Sequence, residues 1–213
     1  MSQTKTGERR GPWTIRATRI AYENPWMQVI EHDVLRPNGE PGLYGVMHPK
    51  QLAIGVLPVF ANGDVPLVGQ YRFAVEAYSW ELPEGGGAFD AEPLDSARRE
   101  LAEETGLSAA HWLEFLRFDI SNSITSERAI AYLAWGLEQG DAMPDETEAL
   151  ANDRKPFAKV LAMAMDGRIS DGFTLAMMAK ADYMLRQGQL PEALAGALRA
   201  GGAYASQSEE EAR

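Results

Sequence analysis

Two alternating segments stand near the start of the chain. WTIRATRIAY from Trp13 to Tyr22 and MQVIEHDVL from Met27 to Leu35 switch between apolar and polar positions with a period near two. Successive strand side chains point to opposite faces, so both segments predict half-buried β-strands. Pro37-Asn38-Gly39-Glu40 then predicts a turn, with a return strand over Leu43 to Met47. Residues 1–11 are polar and predict a mobile terminus. From Gln51 to Phe60 the chain is almost continuously apolar, the pattern of a strand buried on both faces. Asn62-Gly63-Asp64 turns it into a further strand ending in Gln70-Tyr71-Arg72, and Tyr78 to Leu82 reads as another.

A different period begins at Pro93. Proline suits the first helical position, Leu94, Ala97 and Leu101 form an apolar stripe, and Gly106 supplies a left-handed stop. Trp112 to Ile120 and Arg128 to Leu137 predict two more strands, and Glu138 to Asn152 a polar loop. Helices are predicted over Phe157 to Met165, started by Pro156, and Gly172 to Arg186, capped by Ser170 or Asp171. A short helix from Pro191 to Ala200 precedes an acidic tail, SEEEAR, that predicts disorder. Met163, Met165, Met177, Met178 and Met184 are read as core filler.

Composition narrows the classes. With 213 residues and no repeats, the chain suits one domain with appendages. It has no cysteine, so disulfides and thiolate chemistry are excluded and a reducing, cytoplasmic setting fits. No apolar run approaches the roughly 20 residues of a membrane span. A formal net charge of −11 disfavours a nucleic-acid surface, which needs clustered Lys and Arg. It leaves room for a small phosphorylated substrate, because the field in a cleft matters more than the total.

The candidate chemistry lies between Glu81 and Leu107, ELPEGGGAFDAEPLDSARRELAEETGL. Glu100, Glu103 and Glu104 stand at i, i+3 and i+4, which crowds three carboxylates on one helical face. A divalent cation between them relieves the repulsion, and oxygen donors suit Mg²⁺ or Mn²⁺. The plain alternative is a solvated acidic face.

The spacing of Gly85, Arg99, Glu100, Leu101, Glu103, Glu104, Gly106 and Leu107 resembles the Nudix box, G-x5-E-x7-R-E-U-x-E-E-x-G-U with U aliphatic. Eight of its nine defined positions are met; the ninth is Ala91, with Glu92 one residue late. Glu81-Leu82-Pro83 before the glycines is similar to the entry found in Nudix enzymes acting on nucleotide sugars. The resemblance covers roughly residues 46–187 and implies an α/β fold, a Nudix-type α/β/α sandwich with a mixed sheet. An N-terminal antiparallel β unit over 1–45 would serve dimerisation and substrate contact, and 188–213 would be a short helix and tail.

What the resemblance implies for the site is specific. Glu100, Glu103, Glu104 and the Glu84 carbonyl would hold Mg²⁺, with Mn²⁺ as a substitute, and Arg99 would orient the glutamates. Arg72 would lie over the substrate phosphates, and Glu81, Gly85 and Gly86 would also belong to the substrate-binding set. Glu146, Glu148 or one of the helix glutamates would act as general base. Trp13, Trp26 or Tyr44 would stack on the base or join a homodimer interface, and filling a core is the equal alternative. Asn122 stands where many ADP-ribose pyrophosphatases have a proline, which leaves GDP-mannose and similar sugars in play. The implied reaction is Mg²⁺-dependent hydrolysis of a nucleoside diphosphate sugar to a nucleoside monophosphate and a sugar phosphate. Two alternatives stand beside it: another Nudix substrate, such as a dinucleoside polyphosphate or a CoA derivative, and a non-catalytic nucleotide-sugar sensor.

Overall fold

The structure, a computed structural model, describes residues 7–140 and 150–203. They divide into two compact units, one holding the described residues up to Leu52 with Asp119–Arg128, the other Ala53–Phe118 and the residues from Ala129 onward.

In the first unit the alternating segments form an antiparallel sheet in the order β1 (Glu8–Arg10), β2 (Trp13–Glu23), β3 (Met27–Leu35), β4 (Pro41–Pro49). The turn between the last two places Gly39 at φ +84, a conformation closed to most side chains. The expected mobile terminus is corrected in part. Glu8–Arg10 pair with Ile15–Trp13 through a tight hairpin at Gly11, φ +57, which satisfies backbone groups that sequence polarity alone leaves unassigned. The 120–127 loop is stitched to β4: the Met47 amide donates to Ile124 O at 2.9 Å, and the Ser126 amide to Met47 O at 3.0 Å.

Among its described residues the second unit carries two sheets and four α-helices. Strands β5 (Leu52–Val59), β6 (Asp64–Arg72) and β7 (Ala77–Glu81) are joined by the predicted turn and by a one-turn 3-10 helix, Phe73–Val75. β8 (Glu84–Gly87) then leads to α1 (Pro93–Thr105), β9 (Leu107–Asp119) and β10 (Arg128–Gln139). β11 (Ala151–Pro156) precedes α2 (Phe157–Met165), α3 (Gly172–Arg186) and α4 (Glu192–Ala200). One sheet runs β8-β5-β10-β9, with β5 and β10 parallel; the other runs β11-β6-β7, with both pairs antiparallel. The mixed α/β class expected from the sequence is observed.

Three expectations are corrected here. The glycine run is not an unpaired loop: Glu84–Gly87 form a short strand on the edge of β5, and the Val56 amide donates to Pro83 O at 2.9 Å. The loop expected to run to Asn152 ends earlier: residues 151–156 add an edge strand to β6, and Pro156 stands at its end opposite Asp64, where a missing N–H costs no ladder bond. Met165 is exposed rather than core filler, unlike Met163, Met177 and Met178. The acidic tail from 204 lies outside the described residues.

Leu57, Val59, Val65, Leu67 and Leu133 from the sheets meet Phe157, Met177, Leu194 and Leu198 from the helices in one apolar core. Each such side chain, fully buried, contributes roughly 1.5–3 kcal/mol. No helix among the described residues is long and apolar enough to cross a membrane.

Gly63 in the β5–β6 turn has φ +79, its carbonyl accepts from the Phe157 amide at 2.9 Å, and a Cβ there would overlap Ala197 O and Gly201 N. Gly63→Ala is therefore expected to lower stability by about 2 kcal/mol or more, through strain plus displacement of α4. Thermal unfolding checks this; an unchanged midpoint contradicts the close packing of α4 on the turn.

Candidate functional site

The end of β7 delivers Glu81 into a nearly closed position, 4% exposed. Its carboxylate is met by Arg72 from the neighbouring strand. Arg72 Nε donates to both Glu81 oxygens, at 3.0 and 3.1 Å, and a terminal nitrogen makes a further contact. A buried carboxylate without such a partner is costly, so the pair fixes the ends of β6 and β7 together. Arg72 is thus not a free edge arginine: it is tethered by Glu81 and keeps part of its guanidinium accessible.

The glycine strand lies against α1. A Cβ at Gly85 would overlap the Glu100 carboxylate, so glycine here lets that carboxylate lie directly against the strand. The Glu84 amide donates to Glu104 Oε2 at 3.0 Å. Arg99 then ties three groups: it donates to Gly86 O at 2.7 Å, Glu100 Oε1 at 2.6 Å and Glu103 Oε2 at 2.6 Å. Glu100 and Glu104 are 7% and 6% exposed, and Glu103 is more open. The acidic face is therefore not the solvated one of the plain alternative. Pro93 opens α1, and Gly106 closes it at φ 69 with its amide on Ala102 O. Ala91 lies exposed in the turn before α1, its amide on Ala88 O at 3.2 Å.

Behind this strand lies a cluster centred on Thr174, a residue outside every motif spacing in the chain. Fully buried, Thr174 accepts the Leu82 amide on Oγ1 at 2.9 Å and donates the hydroxyl proton to Glu84 Oε1 at 2.9 Å. Asp171 caps α3 by accepting the Thr174 amide on Oδ2 at 2.6 Å. Burial, and next the negative charge of Asp171, push the Glu84 carboxyl well above the usual carboxylate range. The available signal was a threonine at the head of the otherwise apolar stripe Met177, Met178 and Ala181, three residues after a capping aspartate.

Arg72, Glu81, Glu84, Gly85, Gly86, Arg99, Glu100, Glu103 and Glu104 all belong to the second unit, and direct contacts link Arg72 to Glu81 and the glycine strand to α1. Trp13, Trp26 and Asn122 belong to the first. Trp13 packs edge-on against Tyr44, centroids 5.3 Å apart, and Tyr44 donates to Ser123 O at 2.6 Å. Both rings line a cavity of about 240 Å³ with Arg10, His32 and three aliphatic residues. Trp26 is 72% exposed and Asn122 lies in an exposed turn. Glu146 and Glu148 lie outside the described residues.

As a donor set, buried carboxylates beside a strand stripped of side chains suit a hard divalent cation. Among the described residues no three acidic, histidine or cysteine groups already converge to hold one; Arg99 engages Glu100 and Glu103, and the Glu84 amide engages Glu104.

Comparison with known proteins places this arrangement in a class. Residues 49–166 match the NUDIX domain family model, and the chain belongs to the Nudix hydrolase family. Residues 13–47 match the nucleoside diphosphate sugar hydrolase N-terminal domain. An ADP-ribose pyrophosphatase of Mycobacterium tuberculosis (strain ATCC 25618 / H37Rv) is 32% identical over 58% of this chain and 61% of its own length. An ADP-ribose pyrophosphatase of Bacillus subtilis (strain 168) is 29% identical over 76% of this chain and 84% of its own. The crystal structure of an ADP compounds hydrolase shares the fold, with a TM-score of 0.75 and 20% identity, covering 86% of this chain and all of that one. Family and relatives together support a pyrophosphohydrolase enzyme, and Nudix hydrolases generally use divalent metal ions.

Gly85→Ala is expected to leave the fold intact, since the displaced atoms are the end of a flexible side chain. Shifting the Glu100 carboxylate by about 1 Å is expected to lower kcat/KM about a hundredfold. Steady-state kinetics beside circular dichroism check this; wild-type turnover contradicts the role given to the close approach.

Proposed function

We propose that the protein hydrolyses the diphosphate bond of a nucleoside diphosphate sugar of the ADP-ribose type, giving a nucleoside monophosphate and a sugar phosphate. The observation that carries this reading is the burial of Glu100 and Glu104 against the glycine strand, with the Glu100 carboxylate packed on Gly85 and Glu104 bonded to the Glu84 amide. The two ADP-ribose pyrophosphatase relatives and the match to a nucleoside diphosphate sugar hydrolase N-terminal domain support the substrate class.

Glu100, Glu103, Glu104 and the Glu84 carbonyl are the residues that would hold Mg²⁺. When bound, the cation neutralises the diphosphate oxygens and acidifies a water. The chain's own residues do the rest. Arg72, tethered by Glu81, keeps accessible N–H groups with which to grip a phosphate oxygen. Arg99 holds Glu100, Glu103 and the Gly86 carbonyl in register, which orients carboxylates and strand together. The proton of the attacking water passes to a carboxylate, for which Glu103, Glu146 and Glu148 are the candidates. Trp13, Trp26 and Asn122 are assigned to base and sugar contacts, and the N-terminal sheet to a homodimer. The absence of cysteine agrees with a cytoplasmic setting.

A panel of nucleoside diphosphate sugars, dinucleoside polyphosphates and CoA derivatives, read by phosphate release with a coupled phosphatase, tests the reading. ADP-ribose or a close analogue is expected to give the highest kcat/KM, and chelation of divalent ions to abolish turnover. Glu104→Gln is expected to lower kcat about 10²–10³-fold with the fold retained. Tight binding of a nucleotide sugar without turnover of any diphosphate contradicts the enzyme and favours a sensor.

A further inference from the structure

We propose that Thr174 is a positioning residue for the acidic site, acting through the Glu84 peptide on the carboxylate of Glu104. This rests on the reading above, in which Glu104 serves the bound cation. The hydrogen-bond path is continuous. Asp171 Oδ2 accepts the Thr174 amide at 2.6 Å, which fixes the first turn of α3. The Thr174 hydroxyl accepts the Leu82 amide and donates to the Glu84 carboxyl, both at 2.9 Å. The Glu84 amide, on the same residue, donates to Glu104 Oε2 at 3.0 Å.

One hydroxyl has one proton to give and lone pairs to accept with, and here each capacity is used on the residues either side of Pro83. Proline has no amide to anchor its own peptide, so the chain at this point is held from residues 82 and 84. The Val56 amide on Pro83 O at 2.9 Å holds the carbonyl end of the same planar peptide whose N–H belongs to Glu84, and Thr174 holds the residues on either side of it. With its carbonyl end pinned by Val56, that peptide keeps its N–H on Glu104 only while the flanking residues stay in place, and loss of the Thr174 hydroxyl lets it tilt about the pinned end. Thr174 is 0% exposed, so no water replaces its hydroxyl when it is removed. The pattern thus couples the start of α3, far along the chain, to the direction in which a carboxylate on α1 points. It also accounts for a polar residue at a fully closed position beside Met177 and Met178.

The test uses the full chain with Thr174→Val, which keeps the shape and removes the hydroxyl, and Thr174→Ser, which keeps it. Leu198→Ala in α4, away from the site, serves as a variant of comparable thermal loss. Three quantities are read: amide hydrogen exchange at Leu82 and Glu84 in metal-free protein, Mn²⁺ affinity, and kcat and KM on ADP-ribose. In Thr174→Val, protection of the Leu82 and Glu84 amides is expected to fall about tenfold, the worth of one ordinary hydrogen bond, while Val56 keeps its own. The Mn²⁺ dissociation constant and kcat are expected to worsen about tenfold with KM changed less than about twofold. Thr174→Ser is expected to restore all three. Unchanged Glu84 protection in Thr174→Val, or an equal kcat loss in Leu198→Ala at matched midpoint, overturns the proposal. If wild-type protein itself binds no Mn²⁺, the cation reading fails instead, and normal Glu84 exchange in Thr174→Val still decides against the clamp.

Discussion

The close approach of the strand Glu84–Gly87 to helix α1 is the constraint on which the remaining site geometry depends. A β-carbon at Gly85 would occupy the place of the Glu100 carboxylate, and the Glu84 amide reaches Glu104 only because the strand lies this near. Much of the surrounding fold maintains that distance. β5 holds the strand edge-on, the apolar positions Ala97 and Leu101 seat α1, and the start of α3 braces the strand from behind. A helix with the same three glutamates beside an alanine-rich strand would have the charge without the space.

Charge is balanced locally, although the chain as a whole carries −11. Glu81 has Arg72, and Glu100 and Glu103 share Arg99. Burying carboxylates without such partners costs on the order of several kcal/mol each, so the two arginines are what allow an acidic cluster to persist in a half-closed site. Arg99 also bonds the Gly86 carbonyl, which makes it part of the strand–helix clamp as much as of the charge balance. Glu84 is the exception. With Asp171 as its neighbour instead of a cation, its carboxyl is pushed upward and is held by a threonine hydroxyl.

Most elements were legible because their signals are local. Strand alternation located Met27–Leu35, and proline and glycine bounded α1, because backbone geometry restricts which residues stand at a helix start or a left-handed stop. The box spacing likewise singled out Arg99, Glu100, Glu103 and Glu104. Illegible were the features made by pairing across distance. Glu8–Arg10 and Ala151–Pro156 are polar and become strands only because β2 and β6 offer free edges, and Glu84–Gly87 looks like a loop until β5 is beside it. Thr174 lies 90 residues from Glu84 along the chain, so no spacing rule joins them. Arg72 was placed at the site by resemblance; its tether to Glu81 is a strand-register fact, set by Val68 facing Glu81 and Arg72 facing Ala77.

In the proposed reading the glycine strand and the α1 glutamates together form a divalent-cation site. Anomalous diffraction from crystals soaked in Mn²⁺ tests it most directly. A peak is expected about 2.0–2.3 Å from carboxylate oxygens of Glu100 and Glu104, with Arg99 released from at least one glutamate. A peak elsewhere, or none while Glu100 stays bonded to Arg99 and Glu104 to the Glu84 amide, would contradict it.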